Sequence, residues 1–128
     1  MPLIHYWKES GAGKLNDLFA RSNGFNFPEH IAVDTNALML RLVQLGIGWA
    51  YTRPTSVLQN IHMLTDLAVL PMPAPTLTRE VLLMGRKNEY LSEAAFLCDI
   101  AHDCVSNQII PHILQFAPWL AGKLKIVI

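Results

Sequence analysis

Leu42-Val43-Gln44-Leu45-Gly46-Ile47-Gly48-Trp49-Ala50-Tyr51, near the middle of a 128-residue chain, runs from an amphipathic helix into a strand through two glycines. Upstream, Leu38, Leu42 and Leu45 recur at helical spacing, and Met39 and Val43 widen the same apolar face. Gly46 stands where such a helix must stop, because a left-handed residue there carries no Cβ clash only if it is glycine. Beyond it, bulky Ile47, Trp49 and Tyr51 alternate with small Gly48 and Ala50, the pattern of a strand packed closely on one face. A helix that turns so tightly into a strand is a piece of a layered α/β domain.

The rest of the chain extends that pattern. Leu3 to Trp7 reads as a first strand. Ser10 or Gly11 caps a helix carrying Leu15, Leu18 and Phe19, which ends near Asn23-Gly24. Phe25 to Glu29 is a loop, Ile31 to Val33 a second strand, and Asp34-Thr35-Asn36 opens the helix that stops at Gly46. After a strand over Gly48 to Thr52, Thr55 or Ser56 caps a short helix through about Leu64, and Leu67 to Leu70 forms a further strand. Pro71, Pro73 and Pro75 mark an extended link, Arg79 to Arg86 an apolar strand, and Ser92 the cap of a last helix with Phe96, Ile100 and Cys104 on one line. Pro111 kinks or ends that helix, and Lys123 to Ile128 have strand character. Alternation of this kind predicts a mainly parallel sheet with helices on both faces.

Composition narrows the function. Ten basic and ten acidic side chains leave a formal net charge of +0, with no concentration of positive charge to hold DNA or RNA. Hydrophobic residues make up 52% and charged residues 16%, an apolar balance for so small a domain that predicts contact with a partner surface. Cys98 and Cys104 are six apart on one helix, which suits reduced thiols in a cytoplasmic protein. No apolar run has the length of a membrane span, and Met1 to Ser10 lacks the apolar stretch of a secretory signal.

Taken together, Leu42 to Pro54, the proline-rich link, Thr78-Arg79-Glu80-Val81-Leu82-Leu83 with its basic end Arg86-Lys87, and Leu91-Ser92-Glu93-Ala94-Ala95-Phe96 resemble the C-terminal part of LysR-type transcriptional regulators. The resemblance runs over most of the chain, from about residue 2 to 110, and lapses beyond Leu114. It implies residues 1–114 as a partial effector-binding domain, with 115–128 a C-terminal extension. The implied fold is one lobe of a periplasmic-binding-protein-like sensor, in which two α/β lobes hold a small molecule between them. The winged helix-turn-helix and most of the first lobe have no counterpart in this sequence, so the resemblance implies a fragment without its DNA-binding domain. Where the family places Pro directly after the strand, this chain has Arg53, with Pro54 one position later.

Five residues are candidate effector contacts. Thr35 and Asn36 open a helix at the carboxyl end of a strand, where unpaired N–H groups and a partial positive charge suit an anion, and the family's matching positions face the cleft. Capping of the helix by Asp34 or Thr35 is the plainer role. Ser10 has the same setting one helix earlier. The stretch Ser10-Gly11-Ala12-Gly13-Lys14 is not a phosphate loop, since Lys8 and Leu15 occupy the places that need Gly and Ser or Thr. Thr52 and Arg53 end the strand after the double-glycine turn, and an arginine there can hold a carboxylate through two bonds or simply stand in water.

Other chemistry finds no support. Cys98 and His102 share a helix face beside Asp99, but a zinc site needs a third and fourth ligand. His5, His30, His62 and His112 are scattered outside any nucleophile motif, so neither a catalytic set nor a metal or cofactor is expected. Trp7, Trp49 and Trp119 read as core or interface anchors.

The resulting expectation is a ligand-sensing and oligomerisation region that binds a small organic anion and makes no direct contact with nucleic acid or membrane. The family implies that the helix Gly11 to Ser22 and the strand near Ile31 mediate self-association, as a dimer or higher oligomer, with strand exchange one route to covering apolar surface. Half a cleft predicts affinity too weak for calorimetry. A solute-binding module of a transport system and a small flavodoxin-like enzyme are the competing readings; the first predicts export and the second a phosphate-binding loop or an acid–base set.

Overall fold

The computed structural model describes residues 1–27, 30–73 and 78–126, with only the backbone described at 63 and 64. The chain divides into two units, Met1–Leu77 and Thr78–Ile128.

In the first unit, strand β1 (Leu3–Tyr6) is followed by helix α1 (Gly11–Ser22), strand β2 (His30–Val33) and helix α2 (Asn36–Gln44). The strands run parallel, with Leu3 opposite His30 and Tyr6 opposite Val33, so a crossover through α1 connects them. On the other edge of β1, Trp49 forms a parallel bridge to Leu3: Ile4 N–H donates to Trp49 O at 2.8 Å and Trp49 N–H to Pro2 O at 3.1 Å. Neighbour order is therefore β2, β1, Trp49, with β1 in the middle. The predicted mainly parallel sheet is thus present as a two-stranded ladder with a single further bridge, and the strand expected over Gly48 to Thr52 is reduced to Trp49.

The sheet has a helix on each side. Ile4 and Tyr6 point to one face and enclose a core with Val33 and Met39, against which Ile31, Leu42, Val43 and Ala50 pack. Ile4 and Met39 are fully buried, each contributing about 1.5–3 kcal/mol by leaving water. Leu3 and His5 point the other way, toward Gly13, Asn16 and Ala20 of α1.

The caps of the first unit follow the sequence. Ser10 Oγ accepts from Gly13 N–H at the start of α1, and Thr35 Oγ1 accepts from Leu38 N–H at the start of α2. Gly46 ends α2 at φ +72°. The small residues of the quoted stretch make its close contact: a Cβ at Gly48 would lie 2.4 Å from Pro2 O and 3.0 Å from Ile4 Cγ1.

Several expectations are corrected. On α2 the buried line is Met39 and Leu40, while Leu38 and Leu45 are 44% and 56% exposed. The helix is apolar on nearly every side, so spacing alone does not choose the stripe; Ile4 and Tyr6 do. Leu18 is likewise exposed on α1, leaving Phe19 as its buried anchor. Helix α3 (Pro54–Leu58) starts after Arg53 at the N-cap, with Pro54 in its first turn and neither Thr55 nor Ser56 capping. It stops short of Leu64, and Ile61–Asp66 is a separate 3₁₀ segment. Leu67 to Leu70 is irregular rather than a strand. Phe25 to Phe27 is irregular as expected, while the expectations for Pro28, Glu29 and Pro75 fall outside the described residues. Trp7 and Trp49, at 57% and 39% exposure, are not core anchors.

The second unit is helical. Helix α4 (Leu91–Cys104) passes through a π turn (Val105–Ile109) into helix α5 (Ile110–Phe116), and a 3₁₀ turn (Pro118–Leu120) follows. Ile110 N–H bonds back five residues to Val105 O, widening the ladder just before Pro111, whose ring has no N–H and would crowd the carbonyl of residue 107. The proline is thus accommodated and the helical path continues past it. Ser92 does not cap α4: Tyr90 holds the N-cap in a left-handed conformation, φ 51°, and Ser92 Oγ donates to Glu93 Oε2. Arg79 to Arg86 forms no strand, because none of its backbone has a ladder partner among the described residues, and Lys123 to Ile126 is also non-strand. No helix of the described residues is long and apolar enough to cross a membrane.

Candidate functional site

With β2 on one side of β1 and Trp49 on the other, the crossover from β1 to β2 and the one from β2 to Trp49 run in opposite directions across the sheet. In open parallel sheets the crevice at such a reversal, beyond the carboxyl ends of the strands, is where ligands settle. Three segments meet there: the end of β1 at Tyr6, the start of α2 after β2, and the residues following Trp49.

Tyr6 joins them. Its ring is buried, 6% exposed, and its hydroxyl bonds both Asn36 Oδ1 and, at 3.0 Å, Thr52 Oγ1. Asn36 Nδ2 in turn donates to Gln59 Oε1, just past α3, at 3.0 Å. A single file of four polar side chains, Thr52, Tyr6, Asn36 and Gln59, so connects the ends of β1, the Trp49 bridge, α2 and α3. Tyrosine suits this position because its body fills core while its tip needs a polar partner.

Asn36 and Thr52 are therefore brought together through one hydroxyl. Thr35 and Ser10 each serve their own helix: Ser10 Oγ donates to Trp7 O at 2.7 Å while accepting from Gly13 N–H at 3.0 Å, and exposed Thr35 accepts from Leu38 N–H at 3.2 Å. Arg53 occupies the N-cap of α3 and makes no ion pair among the described residues. Tyr6 and Gln59 were not singled out by sequence. A tyrosine ending the first strand on the same face as Ile4 is a signal that existed; nothing in the sequence marks Gln59.

A concavity of about 290 Å³ lies on the α1 side of β1, where His5, His30, Asn16, Asp17, Phe25 and Tyr51 contribute to the wall. The His5 and His30 ring centroids are 5.2 Å apart. Asp17 is paired with Arg21 at 2.9 Å, and the Tyr51 hydroxyl donates to Asn16 O at 3.3 Å. Burial first, and the Asp17 carboxylate second, raise the pKa of the Tyr51 phenol. Phe27 stands edge-on to Trp49 at 5.4 Å, and Phe19 and Phe25 meet at 6.0 Å, so aromatic contacts add to the Tyr51–Asn16 hydrogen bond in tying this side together. No group of three His, Cys, Asp or Glu able to hold a metal ion occurs among the described residues.

Compared with known families, the chain matches the model of the LysR substrate binding domain over residues 1–97, the whole of the first unit and the second as far as the middle of α4. Searches of curated proteins and of solved structures return no match.

Proposed function

The chain belongs to the LysR substrate-binding-domain family, and from that premise we propose that it senses a small organic anion at the crevice beyond the ends of β1, β2 and the Trp49 bridge. The observation that carries this reading is the shared Tyr6 hydroxyl, which draws Asn36 and Thr52, from separate segments, to one spot. The α2 N-terminus behind Asn36 supplies unpaired N–H groups and partial positive charge. Arg53, next to Thr52, brings a full positive charge and a planar fork suited to a carboxylate. Ser10 and Thr35 shape the rim while capping α1 and α2.

The proposed role is regulation rather than catalysis, in the cytoplasm. Effector binding favours one inter-lobe arrangement over another and so re-sets an oligomer that controls transcription. Self-association, as a dimer or higher oligomer, belongs to the same reading, with the exposed apolar residues of the second unit supporting it.

The test is an NMR titration of isotope-labelled full chain with benzoate at millimolar concentration. Backbone amides at Asn36, Thr52 and Arg53 are expected to shift together, and Arg53→Ala to weaken the response several-fold. Shifts confined to His5, Asn16 and Tyr51 would place binding in the concavity on the α1 side of β1 and overturn the reading.

A further inference from the structure

We propose that Tyr6 is a positioning residue that locks the hydrogen-bonding character of Thr52 to the orientation of the Asn36 and Gln59 amides, and that an oxygen anion selects the state in which Thr52 donates. The proposal rests on the effector reading above, since it takes Thr52 as the ligand contact.

Asn36 Nδ2 donates to Gln59 Oε1, so Asn36 Oδ1 faces Tyr6. The Tyr6 hydroxyl has one proton, and it goes to Asn36 Oδ1. Toward Thr52, Tyr6 can then only accept, and the single Thr52 proton points inward at 3.0 Å. In this state Thr52 meets a ligand with lone pairs alone. It suits an ammonium or hydroxyl donor and repels a carboxylate.

The same heavy atoms support one other self-consistent state. With the oxygen and nitrogen of both amides exchanged, Gln59 Nε2 donates to Asn36 Oδ1, Asn36 Nδ2 to Tyr6, and Tyr6 to Thr52. The Thr52 proton is released toward the ligand. No covalent bond changes; two hydroxyls rotate and two amides flip. Mixed states place a donor against a donor or an acceptor against an acceptor: at the two Tyr6 bonds this falls in a partly buried setting, where it is costly, and at the exposed Asn36–Gln59 link it forfeits a hydrogen bond. Tyr6, at 6% exposure, has little access to water that would uncouple the two ends. Gln59 is exposed, so the state selected at Thr52 is displayed at the end of α3.

Side-chain amide resonances of Asn36 and Gln59 in the ¹⁵N-labelled full chain test this. Acetate serves as the acceptor probe and methylammonium as the donor probe, at matched ionic strength. Acetate is expected to move both amide signals, and methylammonium to leave them near their probe-free positions. Tyr6→Phe keeps the ring and removes the coupling: the Gln59 amide signal changes without any probe, and its acetate response falls several-fold while Thr52 still responds. Thr52→Val, which leaves Tyr6 in place, should also silence the acetate response at Gln59. An unchanged probe-free Gln59 signal in Tyr6→Phe, or an equal acetate response there, overturns the proposal. Failure of Thr52 itself to respond to acetate in the unmodified chain overturns the effector reading and the anion selection with it, whereas the coupling is decided by the probe-free variant spectra.

Discussion

Ile4 and Met39 in Met1–Leu77 are fully enclosed, whereas Val81, Leu82, Leu83 and Met84 in Thr78–Ile128 are 89%, 69%, 64% and 84% exposed. On α4, Phe96 and Ile100 are 64% and 49% exposed, and none of its residues is buried. The two regions use similar side chains, so the difference lies in neighbours rather than in composition. Ile4 has Met39 across from it because α2 packs on that face of β1. Val81 to Met84 have an equally apolar pattern and no ladder partner among the described residues. An apolar run is a demand for burial; the surrounding chain decides whether it is met.

The largest effect should come from a matched pair of truncations. Met39→Ala is expected to cost about 2–5 kcal/mol, because the surrounding core closes only partly over the space left behind. Phe96→Ala, on an exposed face, should change stability by less than about 0.5 kcal/mol. Denaturant unfolding of the two variants checks this, and comparable losses would erase the contrast between the units.

Next, the exposed run should govern association. Leu83→Glu is expected to lower the average mass at high concentration in sedimentation or light scattering, with the unfolding free energy unchanged within about 0.5 kcal/mol. A monomer at all concentrations in both proteins would show that the run is silent and would count against self-association.

A smaller gain is expected from Tyr90→Gly. A bulky side chain at φ 51° is disfavoured by about 1–2 kcal/mol. Part of that is returned as unfolded-state entropy, leaving a net stabilisation of α4 of about 0.5 kcal/mol, measurable by amide exchange from Ala94 onward.

The smallest effect is a pH dependence confined to the first unit. The folded phenol of Tyr51 has a pKa raised above the ordinary 10.0, by burial and then by Asp17. The unfolded chain releases its proton first as pH rises. The stabilisation is therefore whole below the ordinary value and lost on passing through the raised one. Tyr51→Phe should flatten the alkaline fall in stability and cost at neutral pH only the long hydrogen bond to Asn16 O; an unchanged alkaline slope would remove Tyr51 as its source.

Local chemistry was legible in the sequence. Ser10 and Thr35 cap their helices, Gly46 stops α2, and strands stand where Leu3 and Ile31 placed them, because each depends on a few adjacent residues. Non-local pairing was not legible. Leu67 to Leu70 and Arg79 to Arg86 have strand composition, but a strand needs a second backbone, and spacing says nothing of that. The buried stripe of α2 was legible in part: Met39, Leu42 and Val43 pack against the core as their spacing predicts, but Leu38 and Leu45 are exposed, because with so many apolar neighbours only contact with Ile4 and Tyr6 sets the edge of the stripe. In the candidate site, Asn36 and Thr52 were visible as polar residues at element ends. Tyr6 had the look of a core strand residue, and its role emerges only when three segments converge on its hydroxyl.

The π turn at Val105–Ile109 adds a phase shift to the long helical path. Phe96, Ile100 and Cys104 advance by fours, a line that would continue through polar Gln108 and His112. One extra residue in the turn moves that line onto Ile109, Ile113 and Ala117, the last two 1% and 2% exposed. The irregularity therefore carries the exposed apolar line of α4 onto the enclosed Ile113 and Ala117, where a regular spiral would have brought it to Gln108 and His112.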